Sequence, residues 1–290
     1  MITLQHTLST LLHDKSTFHK VLPYALLPDA IRMFTGERQY SHFEKSFDDT
    51  DVSYMEYPLD IKNLTKEDIA VDKSDRTMYH LVSNIKPCCI GEDTDISAFY
   101  QHNMHLPETY HKGVELHLKQ DICFDKFIRD TIDCSHKYEH EFKFHNKTYG
   151  DKEIRSIISD IEQYGVYVLA KDVYDKYGIV ANQQWFDENV KPSLDKYYSS
   201  EMSENTYKYM KIRPDINEYI TNKDWTHMKD MPVSYENYQA LYDSVLQVCK
   251  DTPTPSISVS SEPIILNNQL EAAYDANCMN MSNDKESLTL

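Results

Sequence analysis

Apolar positions in the first 13 residues fall on one helical stripe. Leu4, Leu8, Leu11 and Leu12 stand at i, i+4, i+7 and i+8, the spacing of a helix with one buried face. The apolar pattern resumes over 19–34, where Pro23 and Pro28 are expected to divide it. A helix starting near Pro28, with proline in its first turn, follows from that reading. Residues 35–60 are polar, acidic and aromatic without a period and read as irregular. Thr65 and Asp68 have helix-capping spacing ahead of Ile69 and Val71, and 76–86 reads as a helix closed by Pro87 and Gly91. The clearest helical signal follows Pro107, where Val114, Leu116, Leu118, Ile122, Phe124, Phe127, Ile128 and Ile132 run through 108–133 with Gly113 the only breaker. A second long helix is predicted over 151–177, ended by Gly178. Shorter helices fit 182–191, 194–212, 215–222 and 235–250, while 138–149 suits a hairpin or an irregular loop. The pattern gives an all-α multi-helix bundle over 1–250. A tail over 251–290, rich in Ser, Thr, Pro and Asn, reads as disordered or loosely docked.

Composition narrows the function. Of 290 residues, 47 are Asp or Glu and 30 are Lys or Arg, a formal charge of −17. Such a surface argues against a nucleic-acid groove and against docking on an anionic membrane. Mean hydropathy is −0.62 and no apolar run is long enough to span a bilayer. The first residues lack the pattern of a secretory signal, so a cytoplasmic location is expected. With only 6 glycines and neither GxGxxG nor GxxxxGK[ST], phosphate-cradling loops are excluded. The six cysteines form no CxxC pair and read as reduced thiols. The 22 tyrosines read mainly as amphipathic packing with wet hydroxyls, with a partner surface as the other reading.

Histidine distribution carries the chemistry. Of 13 histidines, 12 precede residue 150, leaving His227 alone in the second half. His117 and Asp121 stand i, i+4 in the best-predicted helix, so both face one side and can share a divalent cation. The same spacing also suits an ordinary helical His–Asp pair. Asp29, after Pro28 in an apolar stretch, suits a helix N-terminus. Its apolar neighbours also predict enclosure, and an enclosed carboxylate requires a cation or donors; Arg32 is one candidate partner. His42 lies in Ser-His-Phe, and His6 lies on the first helix.

A helix bearing His6, then LLPDAIR around Asp29, YSHFE around His42, and GVELHLKQDICFDKF around His117 and Asp121: this order resembles the zinc-dependent phospholipase C superfamily over roughly residues 1–130. That superfamily includes single-strand-specific zinc nucleases. The resemblance implies an all-α fold with metals among the helices. It implies that Asp29 bridges or binds metal, that His42, His117 and Asp121 are ligands, and that His6 is another, with His13 competing for that place. Asp29 and Asp121 would be the catalytic carboxylates. Exported members begin at a processed Trp whose amine binds metal, whereas this chain starts at Met1. Their further His and final His/acid pair have only His136, His140 and His145 as nearby substitutes, and His80 with Asn84 is a weaker i, i+4 pair. One or two cations are therefore expected, zinc first, with manganese or iron as alternatives. The implied activity is hydrolysis of a small phosphorylated substrate or lipid headgroup. The competing reading is an acidic, non-enzymatic inhibitor or nucleic-acid mimic that meets a protein partner through its Tyr-rich surface.

Overall fold

A computed structural model describes residues 1–35, 38–43, 54–65, 68–69, 94–132 and 141–251. The expected helix at 76–86, the 252–290 tail, His80, Asn84, His136, His140 and the cysteines at 88, 89, 134 and 278 lie outside the described residues. The fold is all-α. In chain order the helices are α1 (Thr3–His13), α2 (Phe18–Ala25), α3 (Leu27–Thr35), α4 (Arg38–His42), α5 (Ile96–Asn103) and α6 (Glu108–Thr131). A hairpin of β1 (Glu141–Phe144) and β2 (Lys147–Gly150) follows, antiparallel with Phe142 opposite Tyr149. Next come α7 (Asp151–Tyr177), α8 (Gln183–Asn189), α9 (Lys191–Tyr197), α10 (Ser200–Lys208), α11 (Pro214–Asn222), a short 3₁₀ turn over Thr226–Asp230, and α12 (Tyr235–Asp251).

Several boundaries agree with the apolar pattern. α1 and α7 span the predicted ranges, and Gly178 takes the left-handed conformation at φ 68 after α7. Three expectations need correction. Pro23 does not divide its segment but lies inside α2. Proline leaves the carbonyl four residues back without an intrahelical donor; that carbonyl is His19 O, and Ser193 Oγ lies 3.5 Å from it. The segment 194–212 is not one helix. Tyr198 is extended, and Ser199 caps a new helix by accepting from the Met202 amide. Residues 35–60 are not wholly irregular, since α4 forms there. The unanticipated α5 starts at Asp95, whose carboxylate accepts from the Ala98 amide at 2.9 Å.

The long α6 is the central strut. α2 packs along it, α12 covers another side, and α1 lies between α7 and α2. Gly113 makes the α2–α6 approach possible: a Cβ there would overlap Tyr24 and come within 2.8 Å of the Ala25 nitrogen. Gly165 on α7 likewise leaves room for the hydrogen-bonded Gln5 amide and Tyr242 hydroxyl. Many tyrosines are fully buried rather than wet at the hydroxyl. Tyr57, Tyr110 and Tyr238 donate to the carbonyls of Ser41, Pro58 and Ile161. Tyr198 donates to that of Pro23. These bonds remove the desolvation penalty of a buried phenol. Cys123 and Cys249 are buried thiols, and burial pushes the Cys249 thiol up to about 12. No described helix is long and apolar enough to cross a membrane.

Candidate metal centre

α1, α3, α4 and α6 meet at a buried polar cluster. His6, His42 and His117 are 0% exposed, Asp29 2% and Asp121 1%. Each of the five side chains singled out in the sequence lies here. His13 does not: it is partly exposed at the end of α1, where burial of its ring and the nearby Lys112 lower its pKa. His145 lies on the hairpin, its Nε2 3.0 Å from Pro232 O, and His227 is on the 3₁₀ turn.

What orients the imidazoles is a set of contacts at their other nitrogens. His117 Nδ1 is 2.7 Å from Ala25 O, and His42 Nδ1 is 3.1 Å from Arg38 O. A carbonyl only accepts, so His117 Nδ1 carries hydrogen, while His42 Nδ1 also lies 2.9 Å from the Ser41 hydroxyl, which can donate or accept. His6 Nδ1 is 2.7 Å from Gln120 Oε1, which with this amide orientation fixes the same tautomer. The Ala25 anchor reaches His117 because Gly113, one turn earlier on α6, lets α2 lie against the helix. His6 and His117 stack with ring centroids 3.8 Å apart.

The inward atoms converge. His42 Nε2 and His117 Nε2 are 3.0 Å apart. Asp121 Oδ2 is 3.4 Å from His117 Nε2 and 3.7 Å from His42 Nε2. A tetrahedral ion with bonds of about 2.1 Å separates its ligand atoms by roughly 3.4 Å, so this triangle fits a zinc-sized cation. Asp29 Oδ1 is 3.6 Å from His42 Nε2, and His6 Nε2 is 3.1 Å from Asp121 Oδ1. Two overlapping ligand sets result, His42/His117/Asp121 and His6/Asp29/His117, each with ligand atoms within 4.8 Å of one another. Two imidazole nitrogens 3.0 Å apart beside a carboxylate need a proton or a cation between them. His6 Nε2 has no hydrogen-bond partner.

Internal cations compensate part of this charge. Asp121 receives the Met1 amino group on Oδ1 and the Arg38 guanidinium on Oδ2, each at 2.6 Å. Asp29 accepts from Thr3 Oγ1 at 3.1 Å and has Arg32 at 3.8 Å. Asp29 is thus both a first-turn helix residue and a member of the cluster. Burial disfavours ionisation of Asp121, but Arg38 and the Met1 ammonium outweigh it and hold the carboxyl well below its usual range. Burial, with the like charge of His117 next, lowers His6 to about 4. Burial and then Arg38 push His42 well down. These two rings are thus neutral at pH 7, the form that binds metal.

A cavity of about 480 Å³ adjoins the cluster, with Met1, Asp29, Arg32, Arg38, Asp125, Glu162 and Tyr209 among its lining. Phe124, Ile128 and Ile158 form apolar wall. Burial pushes the Glu162 carboxyl up to about 7. Sequence reasoning missed Met1, Arg38, Gln120 and Glu162. Only Gln120 had a signal, its place beside Asp121 in the quoted motif. Comparison with protein-family models, curated proteins and solved structures finds no match.

Proposed function

We propose that this chain is a metal-dependent hydrolase of phosphoric esters, related in its site to the zinc-dependent phospholipase C superfamily. One observation carries the reading: three buried imidazoles, each anchored at Nδ1, turn Nε2 toward two buried carboxylates. Anchoring of that kind fixes the tautomer and orientation of metal-binding histidines. His42, His117 and Asp121 would hold one divalent cation, zinc by donor type, and His6 with Asp29 would hold or share a second. Three protein ligands leave a coordination position open, as catalysis needs. A bound divalent cation supplies Lewis-acid polarisation and an acidified water. Around it, Asp121 and Asp29 fix the geometry, and the apolar wall at Phe124, Ile128 and Ile158 limits solvent. Glu162, titrating near neutrality, can hold or release a proton at the cavity. A cavity of this size suits a small phosphorylated molecule or a single headgroup better than a polymer.

Elemental analysis of protein purified without chelator tests the metal. About one or two equivalents of zinc, manganese or iron are expected. Absence of metal, together with no uptake on titration, overturns the hydrolase reading and favours the acidic interaction protein. Stripped protein should then gain thermal stability when zinc is returned, because the ion binds the native state alone. A panel of phosphomono- and phosphodiesters, read by phosphate or leaving-group release, tests the reaction itself.

A further inference from the structure

Arg38 occupies an unusual position. Its guanidinium nitrogen is 2.6 Å from Asp121 Oδ2, the same oxygen that faces His117 Nε2 and His42 Nε2. A divalent ion drawn to that oxygen meets a fixed positive charge already there. The same guanidinium is 3.7 Å from Asp125 Oδ2, one helical turn further along α6. Both Arg38 and Asp125 line the adjoining cavity. The side chain is 12% exposed, so it is open on the cavity side. α4, which carries it, also carries His42, and the Arg38 carbonyl is the anchor for His42 Nδ1.

We infer that Arg38 is the exchangeable cation of this centre: it neutralises Asp121 when no metal is bound, and turns into the cavity to bind the ligand's anionic group when metal takes Asp121. This rests on the metal reading above. The backbone of Arg38 stays in place, holding His42, while the side chain changes partner, with Asp125 as the neighbouring carboxylate along the way. A guanidinium matches a phosphoryl or carboxylate edge with two parallel N–H donors. In a chain of net charge −17, an anion needs such a local cation to enter. Arg32, 45% exposed and 3.8 Å from Asp29, lines the same cavity. The ligand class that follows is a small anion with at least one doubly accepting oxyanion group.

The test titrates wild type, Arg38→Gln and Arg38→Lys with cobalt(II), read by visible absorption, and with zinc by competition. Each is run without and with inorganic phosphate. Without phosphate, Arg38→Gln should bind metal at least tenfold more tightly than wild type, since the competing charge is gone. Metal-loaded Arg38→Gln should bind phosphate at least tenfold more weakly than loaded wild type. Arg38→Lys should retain a fold close to wild type and still bind phosphate more weakly than wild type, lacking the planar fork. Melting adds a readout that a merely structural arginine does not move: Arg38→Gln should melt below wild type when stripped and match it when loaded. Equal or weaker metal binding by Arg38→Gln, in a protein that does bind metal, overturns the inference and leaves the metal reading intact. An equal melting deficit in stripped and loaded protein overturns it as well. If no variant binds metal, both readings fall. If Arg38→Gln does not fold, unchanged phosphate binding by Arg38→Lys overturns the inference.

Discussion

Two faces of α6 carry buried i, i+4 polar pairs, and they are built differently. On one face Lys119 forms an ion pair with Glu115, and Tyr100 donates to the other Glu115 oxygen at 2.5 Å. Lys119 and Glu115 are 2% and 5% exposed. That cluster sets one cation against one anion plus a hydroxyl. On the other face His117 and Asp121 meet His6, His42 and Asp29, so three imidazoles and two carboxylates share one buried space. Identical spacing on one helix thus gives a simple ion pair in one place and, on the proposed reading, a metal-holding cluster in the other. Surroundings decide, because a buried charge is stabilised only by what reaches it.

The largest expected effects come from removing one carboxylate on each face. Asp121→Ala leaves the Met1 ammonium and Arg38 without their closest counter-ion. Glu115→Ala leaves Lys119 without its partner. Each should cost about 3–5 kcal/mol in urea unfolding, the usual range for breaking a buried pair on one side. Metal separates them: Asp121→Ala should lose it and Glu115→Ala should keep it at unchanged stoichiometry. Loss of metal in both variants would show that the two faces are not independent.

Gly113→Ala probes how the second face is held. The added methyl overlaps Tyr24 and the Ala25 backbone, so α2 must move off α6. Overpacking of this kind costs about 1–3 kcal/mol. It should also weaken metal binding by roughly 10–100-fold, the range for disturbing an anchor behind a ligand. Unchanged metal affinity in this variant would mean that the Ala25 carbonyl does not orient His117.

These contacts mark how much of the site the sequence revealed. The His117–Asp121 face followed from helical spacing, and burial of Asp29 followed from its apolar neighbours. His6 and His42 came from resemblance in order and wording, since neither has a diagnostic local period. Gly113 looked like a flaw in the best helix; its lack of a side chain is what allows the α2 approach. Arg38 fell in a stretch with no periodicity, and the Met1 amino group has no motif at all. Both enter through tertiary approach, over 83 residues in one case and 120 in the other. Helix limits were legible where apolar period and a terminal glycine agreed, as in α7. They were misread where capping decided, as at Ser199 and Asp95.

Glu162 sharpens the contrast through pH. Its carboxyl is raised from 4.5 to about 7 by burial. A raised acid binds more protons folded than unfolded between those values, so its effect on stability declines as pH rises through the window. In metal-stripped protein, wild type should therefore lose stability from pH 4.5 to 7 relative to Glu162→Gln. The difference should reach about 1–2 kcal/mol above pH 7, after allowing for solvent screening at a partly exposed group. Parallel pH profiles for the two proteins would place Glu162 in contact with solvent and remove it as a proton carrier at the cavity.

His227 gives the smallest effect and the cleanest control. Like the buried histidines it stands between two carboxylates, with Nε2 3.4 Å from Asp224 and Nδ1 3.2 Å from Asp230. Its ring stacks on Tyr219 at 4.0 Å between centroids. The carboxylates here are 39% and 53% exposed, so water satisfies them and a cation has little to add. Exposed ion pairs of this kind contribute about 0–1 kcal/mol. His227→Ala should shift stability by less than about 1 kcal/mol and leave metal content unchanged. On the proposed reading, His and Asp hold metal at the buried site and not at the surface because only the buried set has lost its water. A fall in bound metal on changing His227 would reverse that assignment and make the surface cluster the centre.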